Sequence, residues 1–237
     1  MSKKALILVM APTPAEYAMV FESLSKKTYT NFEVSVLESG PGKINAAMRL
    51  SEELSLRRNQ PLPVIVVGAG TSGSLNLSLK GGDVLASSEC VISDWRHEDG
   101  NEVWVAPYGV FDYSLPEDEK IQQMLIREED PLIVDLMDRL HRNGFQSGRI
   151  LTSDTFVSGK DYKLALGKVF GADICDMESA SFAYTAQQRK AKFFNLRVVA
   201  DTLDETLSDY FAKETDVARI LGEKVSEALT MFDEMYT

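Results

Sequence analysis

The chain is predicted to be an α/β protein built on a mixed or mostly parallel sheet. Two patterns predict it. Short runs rich in Val, Ile and Leu recur at 5–10, 32–38, 64–68, 83–87 and 193–200, several of them almost continuously apolar, as in strands covered on both faces. Amphipathic helical patterns alternate with these runs, which is the signature of an α/β sheet rather than of a sandwich or a bundle.

In chain order, the first run passes into a helix over 15–25. Its start is marked by Thr13-Pro14-Ala15-Glu16, a capping box with proline at the first helical position. The second run is followed by a helix over 43–54, and further helices are expected over 133–141 and 179–187. A last helix over 215–236 places Val217, Ile220, Leu221, Val225, Leu229 and Phe232 on one face. Residues 95–116 carry Trp95, Trp104, Tyr108, Phe111 and Tyr113 among charged and turn residues. They are expected to form a long irregular excursion that packs on a partner subunit and closes part of a ligand pocket. There is no internal repeat or linker, so residues 1–237 are expected to form a single domain.

Composition excludes several classes of function. Hydrophobic residues make up 44% of the 237-residue chain, enough for a packed core. The formal net charge of −11 leaves no basic footprint for nucleic acid or anionic lipid. Two cysteines, Cys90 and Cys175, do not make a disulfide framework, and Cys175 is expected to be a small buried residue. The N-terminal apolar run suits a first strand better than a signal peptide, and no run approaches the ~20 apolar residues of a membrane span. A cytoplasmic location is expected. His97 and His141 lie far apart and are expected at the surface, so neither a metal nor an organic cofactor is anticipated.

Four motifs bear on chemistry. Gly68-Ala69-Gly70-Thr71-Ser72-Gly73 matches the dinucleotide fingerprint by letter, but the following Ser74-Leu75-Asn76-Leu77-Ser78-Leu79 reads as turn or extended chain, not as the helix that would face a pyrophosphate. Nicotinamide binding is therefore rejected, while close approach of a ligand to the backbone stays open. Glu16 serves the capping box or stands as a functional carboxylate where the sheet's carboxyl edge meets a helix. Glu178, in Asp176-Met177-Glu178-Ser179-Ala180, is either a first-turn glutamate or a ligand group. Asp201, ending Arg197-Val198-Val199-Ala200-Asp201, is either the cap of a following turn or a buried acid.

Taken together, these segments resemble the nucleoside phosphorylase/nucleosidase superfamily, and within it the 5′-methylthioadenosine/S-adenosylhomocysteine nucleosidases. Ser39-Gly40-Pro41-Gly42-Lys43-Ile44-Asn45-Ala46-Ala47, the Gly70–Leu75 stretch with Leu79-Lys80-Gly81-Gly82-Asp83-Val84, and Ser153-Asp154-Thr155-Phe156-Val157-Ser158-Gly159 carry the resemblance with the two acidic motifs. It implies a three-layer fold with a mixed, partly closed sheet flanked by helices, assembled as a homodimer. It implies that Glu16 activates the attacking water and that Asp201 protonates the purine N7. Glu178 would hold the ribose hydroxyls with Met177 against the sugar, Phe156 would stack on the base, and Val157 would meet its edge through the backbone. Thr71 would stand near the water or anion, and Arg197 is counted with the substrate-binding residues.

The chemistry suits these residue types, because a departing purine leaves positive charge on the sugar and needs a proton on the base. Phosphorylases of this superfamily carry arginines after the first strand and before the glycine segment. Here those places read Pro14-Ala15-Glu16 and Val66-Val67-Gly68-Ala69-Gly70, with no cation. A phosphate beside Glu16 would be repelled, so water is the expected nucleophile. The expected activity is hydrolysis of a purine nucleoside; a phosphorylase and a weakly catalytic nucleoside-binding protein are the alternatives. Ala200 stands where the family commonly has serine, so the support of Asp201 is expected to differ. Pro12-Thr13-Pro14 replaces a usual acidic run.

Overall fold

The computed structural model describes residues 3–94, 96–99, 102–105 and 125–236, the two short middle stretches by their backbone alone. The strands are β1 (Ala5–Ala11), β2 (Phe32–Glu38), β3 (Val64–Ser74), β4 (Val84–Ser87), β5 (Glu89–Ile92), β6 (Arg96–Asp99), β7 (Glu102–Val105), β8 (Ile126–Arg127), β9 (Ile150–Thr152), β10 (Ile174–Asp176) and β11 (Lys192–Asp201). The helices are α1 (Pro14–Ser25), α2 (Lys43–Leu56), α3 (Pro131–Arg142), α4 (Lys160–Phe170), α5 (Ser179–Gln188) and α6 (Leu207–Glu234).

β1 has only apolar residues, all buried, and its alternation distributes them to two cores. Ala5, Ile7 and Val9 face one layer with Val20 and Leu24 of α1, Ile133 and Leu136 of α3, and Leu221 and Leu229 of α6. Leu6, Leu8 and Met10 face the other, with Leu50 of α2 and Phe182 and Ala186 of α5. This is the expected three-layer arrangement.

The sheet runs β2-β1-β3-β10-β9-β5-β8, with β11 against β3 and β4 against β11. β1 pairs in parallel with β2 and β3, while β10 meets the far end of β3 antiparallel at Cys175 and Gly73. β3 can serve all these neighbours because it is longer than the apolar run at 64–68. The glycine segment lies inside the strand, and no helix starts there. The excursion at 95–116 contains an antiparallel pair, β6 with β7, rather than being wholly irregular. Trp95, Tyr108, Phe111 and Tyr113 lie outside the described residues, and so does the expected subunit contact. His141 is half-buried, its Nε2 3.0 Å from the Ala86 carbonyl, rather than free at the surface.

The glycines of β3 have a partner on β11. In the parallel register Asn195 stands beside Gly68, Arg197 beside Gly70 and Asp201 beside Gly73. A Cβ on Gly70 would lie 2.1 Å from Arg197 Nη1, and one on Gly73 would lie 2.8 Å from Asp201 Oδ2. Polar side chains of β11 thus lie across the bare backbone of β3. A bulge between Val199 and Asp201 shifts the register by one residue, so that Asp201 stands beside Gly73.

Replacing Gly70 by Ala is expected to lower stability by about 1–3 kcal/mol. Arg197 has no exposure and cannot swing away without breaking its ion pairs. Urea unfolding measures the loss, and an unchanged midpoint would contradict this packing.

Candidate active site

The carboxyl edge of the sheet opens into a cavity of about 320 Å³. Glu16, Glu178 and Asp201 all line it, with Thr71, Phe156, Val157, Met177, Tyr210 and Phe211. Three carboxylates from three distant stretches of chain thus share one pocket, each buried to 5% exposure or less. Arg197 is the exception among the sequence-predicted residues. It lies behind the wall, wholly buried, and holds other protein groups rather than lining the cavity.

Glu16 fills both roles considered for it. Its Oε2 accepts the Thr13 amide at 3.0 Å, while its own amide reaches Thr13 Oγ1, so the capping box forms. Its Oε1 turns toward β3 and accepts both the Thr71 amide at 2.7 Å and the Thr71 hydroxyl at 2.9 Å. Burial raises its pKa; Arg197 and the hydrogen bonds from Thr71 and Thr13 oppose the rise.

Glu178 stands at the N-cap of α5, yet its side chain makes no cap bond. Oε1 accepts the Gly42 amide at 2.8 Å, and Oε2 is 3.5 Å from Arg197 Nη1. Gly42 donates from a backbone at φ +88°, a conformation glycine adopts without strain. The first turn of α5 is served by Asp176 instead, which accepts the Ser179 amide at 3.1 Å. Burial pushes Glu178 up to about 8, Arg197 pulls against the rise, and Asp176 adds to it.

Arg197 binds this corner together. Its Nη2 is 2.9 Å from Asp176 Oδ2, Nε donates to Ser179 Oγ at 2.9 Å, and Nη1 reaches the Thr71 carbonyl at 3.4 Å. A buried guanidinium among carboxylates keeps its charge, and those carboxylates raise its pKa although burial alone would lower it. Sequence reasoning counted Arg197 with the substrate-binding residues because it shares a motif with Asp201, whereas the structure sets it behind the cavity wall.

Asp201 does not cap the turn that follows it; Thr202 is held by Glu205 instead. Its Oδ2 accepts from Lys163 Nζ at 2.6 Å, a pair in which Lys163 has no exposure at all. Burial raises the Asp201 pKa and Lys163 lowers it. Removing one member of a buried ion pair costs about 3–5 kcal/mol, so the pair is also structural. Sequence reasoning missed Lys163; a lysine at a core-facing position of α4, in line with Leu166 and Phe170, was the available signal.

Phe156 is half-buried with its ring centroid 6.1 Å from that of Tyr210, and Val157 is buried beside it. Tyr210 OH stands 3.3 Å from Thr71 Oγ1. Pro12, Leu207 and Phe211 add an apolar rim. The described lining holds five carboxylates, Glu16, Asp176, Glu178, Asp201 and Glu214, and no Lys or Arg. Among the described residues no cluster of His, Cys, Asp and Glu is arranged to hold a metal ion, and no helix is long and apolar enough to cross a membrane.

Raised carboxyl pKa values have a consequence for stability. Glu178 keeps its proton up to about pH 8 when folded but loses it near its ordinary value, 4.5, when unfolded. The folded chain therefore binds more protons across that window, and stability falls as pH rises through it. Glu16 and Asp201 act in the same direction. Melting temperatures from about pH 5 to 8 are expected to fall less steeply for Glu178→Gln than for the parent; parallel curves would contradict the shift.

Comparison with known proteins agrees with this geometry. Residues 12–232 match the family model for the phosphorylase superfamily. A 5′-methylthioadenosine/S-adenosylhomocysteine nucleosidase of Exiguobacterium is 28% identical over 205 residues, covering 84% of this chain and 81% of the relative. Among solved structures, the nucleosidase of the same description from Helicobacter pylori, with butyl-thio-DADMe-Immucillin-A, superposes with a TM-score of 0.75 at 20% identity, over 97% of this chain and all of that one. Futalosine hydrolase of Helicobacter pylori superposes with a TM-score of 0.74 at 21% identity, over 96% and 98%. These likenesses to solved structures bear on the fold, and the match over 12–232 fixes the family: the chain belongs to the phosphorylase superfamily.

Proposed function

We propose that the chain hydrolyses the N-glycosidic bond of a purine nucleoside, 5′-methylthioadenosine or S-adenosylhomocysteine, releasing adenine and the 5-substituted ribose. The observation that carries this reading is a closed corner with three buried carboxylates of differing surroundings and no cation in its described lining. Relatives named as nucleosidases for these two substrates support the choice of substrate.

Asp201 acts as the acid. Its raised pKa favours the protonated form, and Phe156 and Val157 lie where a base would stack beside it. As the bond from the sugar to the base breaks, its electrons pass to the purine and Asp201 gives a proton to N7. Glu178 sits under the sugar. In its ionised form Glu178 sets a carboxylate against the positive charge that grows on the sugar and stabilises the oxocarbenium-like transition state. Glu16, held by Thr71 and Thr13, takes the proton from the attacking water. Its raised pKa makes it a stronger base than an exposed glutamate. A phosphate dianion in place of water would face five carboxylates with no cation from the described lining. The apolar rim of Pro12, Leu207, Tyr210 and Phe211 suits a thioether at the 5′ position.

A cytoplasmic homodimer belongs to the same reading. It is supported by two free, buried thiols and by Ile44 and Met48, 78% and 55% exposed on α2. A monomer in sedimentation at micromolar concentration would remove the dimer.

Adenine release from methylthioadenosine and adenosylhomocysteine tests the roles. Asp201→Asn and Glu16→Gln are each expected to lower kcat by about 10²–10⁴-fold with KM nearly kept. A parental rate in Glu16→Gln would confine that residue to its capping box. A parental rate in Asp201→Asn would remove the acid from the mechanism.

A further inference from the structure

Lys163 is an anomaly that the reaction outlined above does not use. It lies on α4, a different element from those that carry the three carboxylates, and it does not line the cavity. A lysine with no exposure whatever is rarely tolerated unless its charge is matched. Here two acceptors match it: Asp201 Oδ2 at 2.6 Å and the Thr202 carbonyl at 2.7 Å. Gly73 lies against the same carboxyl group, where an added Cβ would be 2.8 Å from Oδ2 and 3.3 Å from Oδ1. Oδ1 has no hydrogen bond to another described residue, and Asp201 lines the cavity.

We propose that Lys163 is the positioning residue of the acid: it pins Oδ2 of Asp201, leaves Oδ1 to meet the base nitrogen, and makes Asp201 a stronger proton donor by neutralising the carboxylate left behind. The proposal rests on the reading of Asp201 as the acid. The proton balance is simple. Before transfer the pair is an ammonium beside a carboxylic acid. The proton passes from Oδ1 to N7 while the base keeps the electrons of the broken bond. What remains is an ammonium beside a carboxylate, an ion pair already in contact, with no unpaired charge created in the protein.

Of the other groups facing Asp201, Lys213 also favours its ionised form but less than Lys163 does, and Glu205 opposes it. Glu205, in the turn after β11, and Lys213, on α6, are paired with each other. Cys175, on β10, is held as a thiol by burial, its pKa pushed up to about 12. Lys213 also donates to the Ala200 carbonyl at 3.2 Å, so its ammonium is engaged by the backbone before Asp201. Ala200 itself has no side-chain donor to offer, which leaves the support of the acid to a residue from α4.

The experiment is the pH dependence of kcat for adenine release in the parent, Lys163→Gln, Lys163→Arg and Asp201→Asn. Activity that needs protonated Asp201 falls as pH rises through its pKa. Lys163→Gln keeps a donor for Oδ2 but removes the charge. Its alkaline limb is expected to move up by about 1–3 pH units, because an adjacent opposite charge lowers an aspartate by that amount. Its plateau kcat should fall about tenfold or more, since a weaker acid transfers its proton less readily, while KM stays within about threefold. Lys163→Arg restores the cation, and its limb should return to within about half a unit of the parent. A limb unmoved in Lys163→Gln, or moved equally in Lys163→Arg, overturns the proposal. If Lys163→Gln does not fold, the position of the limb in Lys163→Arg decides alone. A parental rate in Asp201→Asn would overturn the acid itself, a failure distinct from that of Lys163.

Discussion

The geometry of this protein depends on a guanidinium that has nowhere to go. Arg197 sits at zero exposure in the middle of β11, and a charge so placed must be neutralised by the groups around it. It takes Asp176 from β10, Ser179 and Glu178 from the start of α5, and the Thr71 carbonyl from β3. Gly70 supplies the room, since any side chain there would overlap the guanidinium. Four elements are therefore locked together at the edge where the cavity opens.

That lock also separates the three cavity carboxylates chemically. Glu178 touches the guanidinium directly, Glu16 feels it at a distance while its oxygens are held by Thr71 and Thr13, and Asp201 answers to a different cation altogether, Lys163. Burial raises all three, yet each has a distinct set of partners. Three carboxyls in one pocket with three environments can hold three protonation states, which is what bond breaking with acid, base and charge stabilisation requires.

Much of this was legible in the sequence, for physical reasons. β1 is wholly apolar, β2 and β11 are rich in Val, Leu and Phe, and the capping box at Thr13 gave the start of α1. Glu178 and Asp201 lie in segments that set an acid among apolar residues, Glu16 was marked by its capping box, the family resemblance joined the three, and the structure brings them to one cavity. Other parts were hidden. β9 and β10 are three residues each, too short for any periodicity to show. β3 continues through its glycines because β11 lays polar side chains over them, a pairing invisible to a local pattern. α6 starts at Leu207 rather than 215, because its first turns point Tyr210 and Phe211 at the cavity and so lack a core stripe; the Thr206 and Asp209 capping box marked the start. α4 escaped notice because Lys163 interrupts the apolar face that would have revealed it.

The central claim is that water, not phosphate, attacks the sugar in a cavity whose described lining carries carboxylates and no cation. The most direct test is the product formed from methylthioadenosine with and without inorganic phosphate, resolved by chromatography. The account predicts adenine and a free 5-methylthioribose, released at a rate independent of phosphate. A ribose 1-phosphate, formed only when phosphate is present, would contradict it.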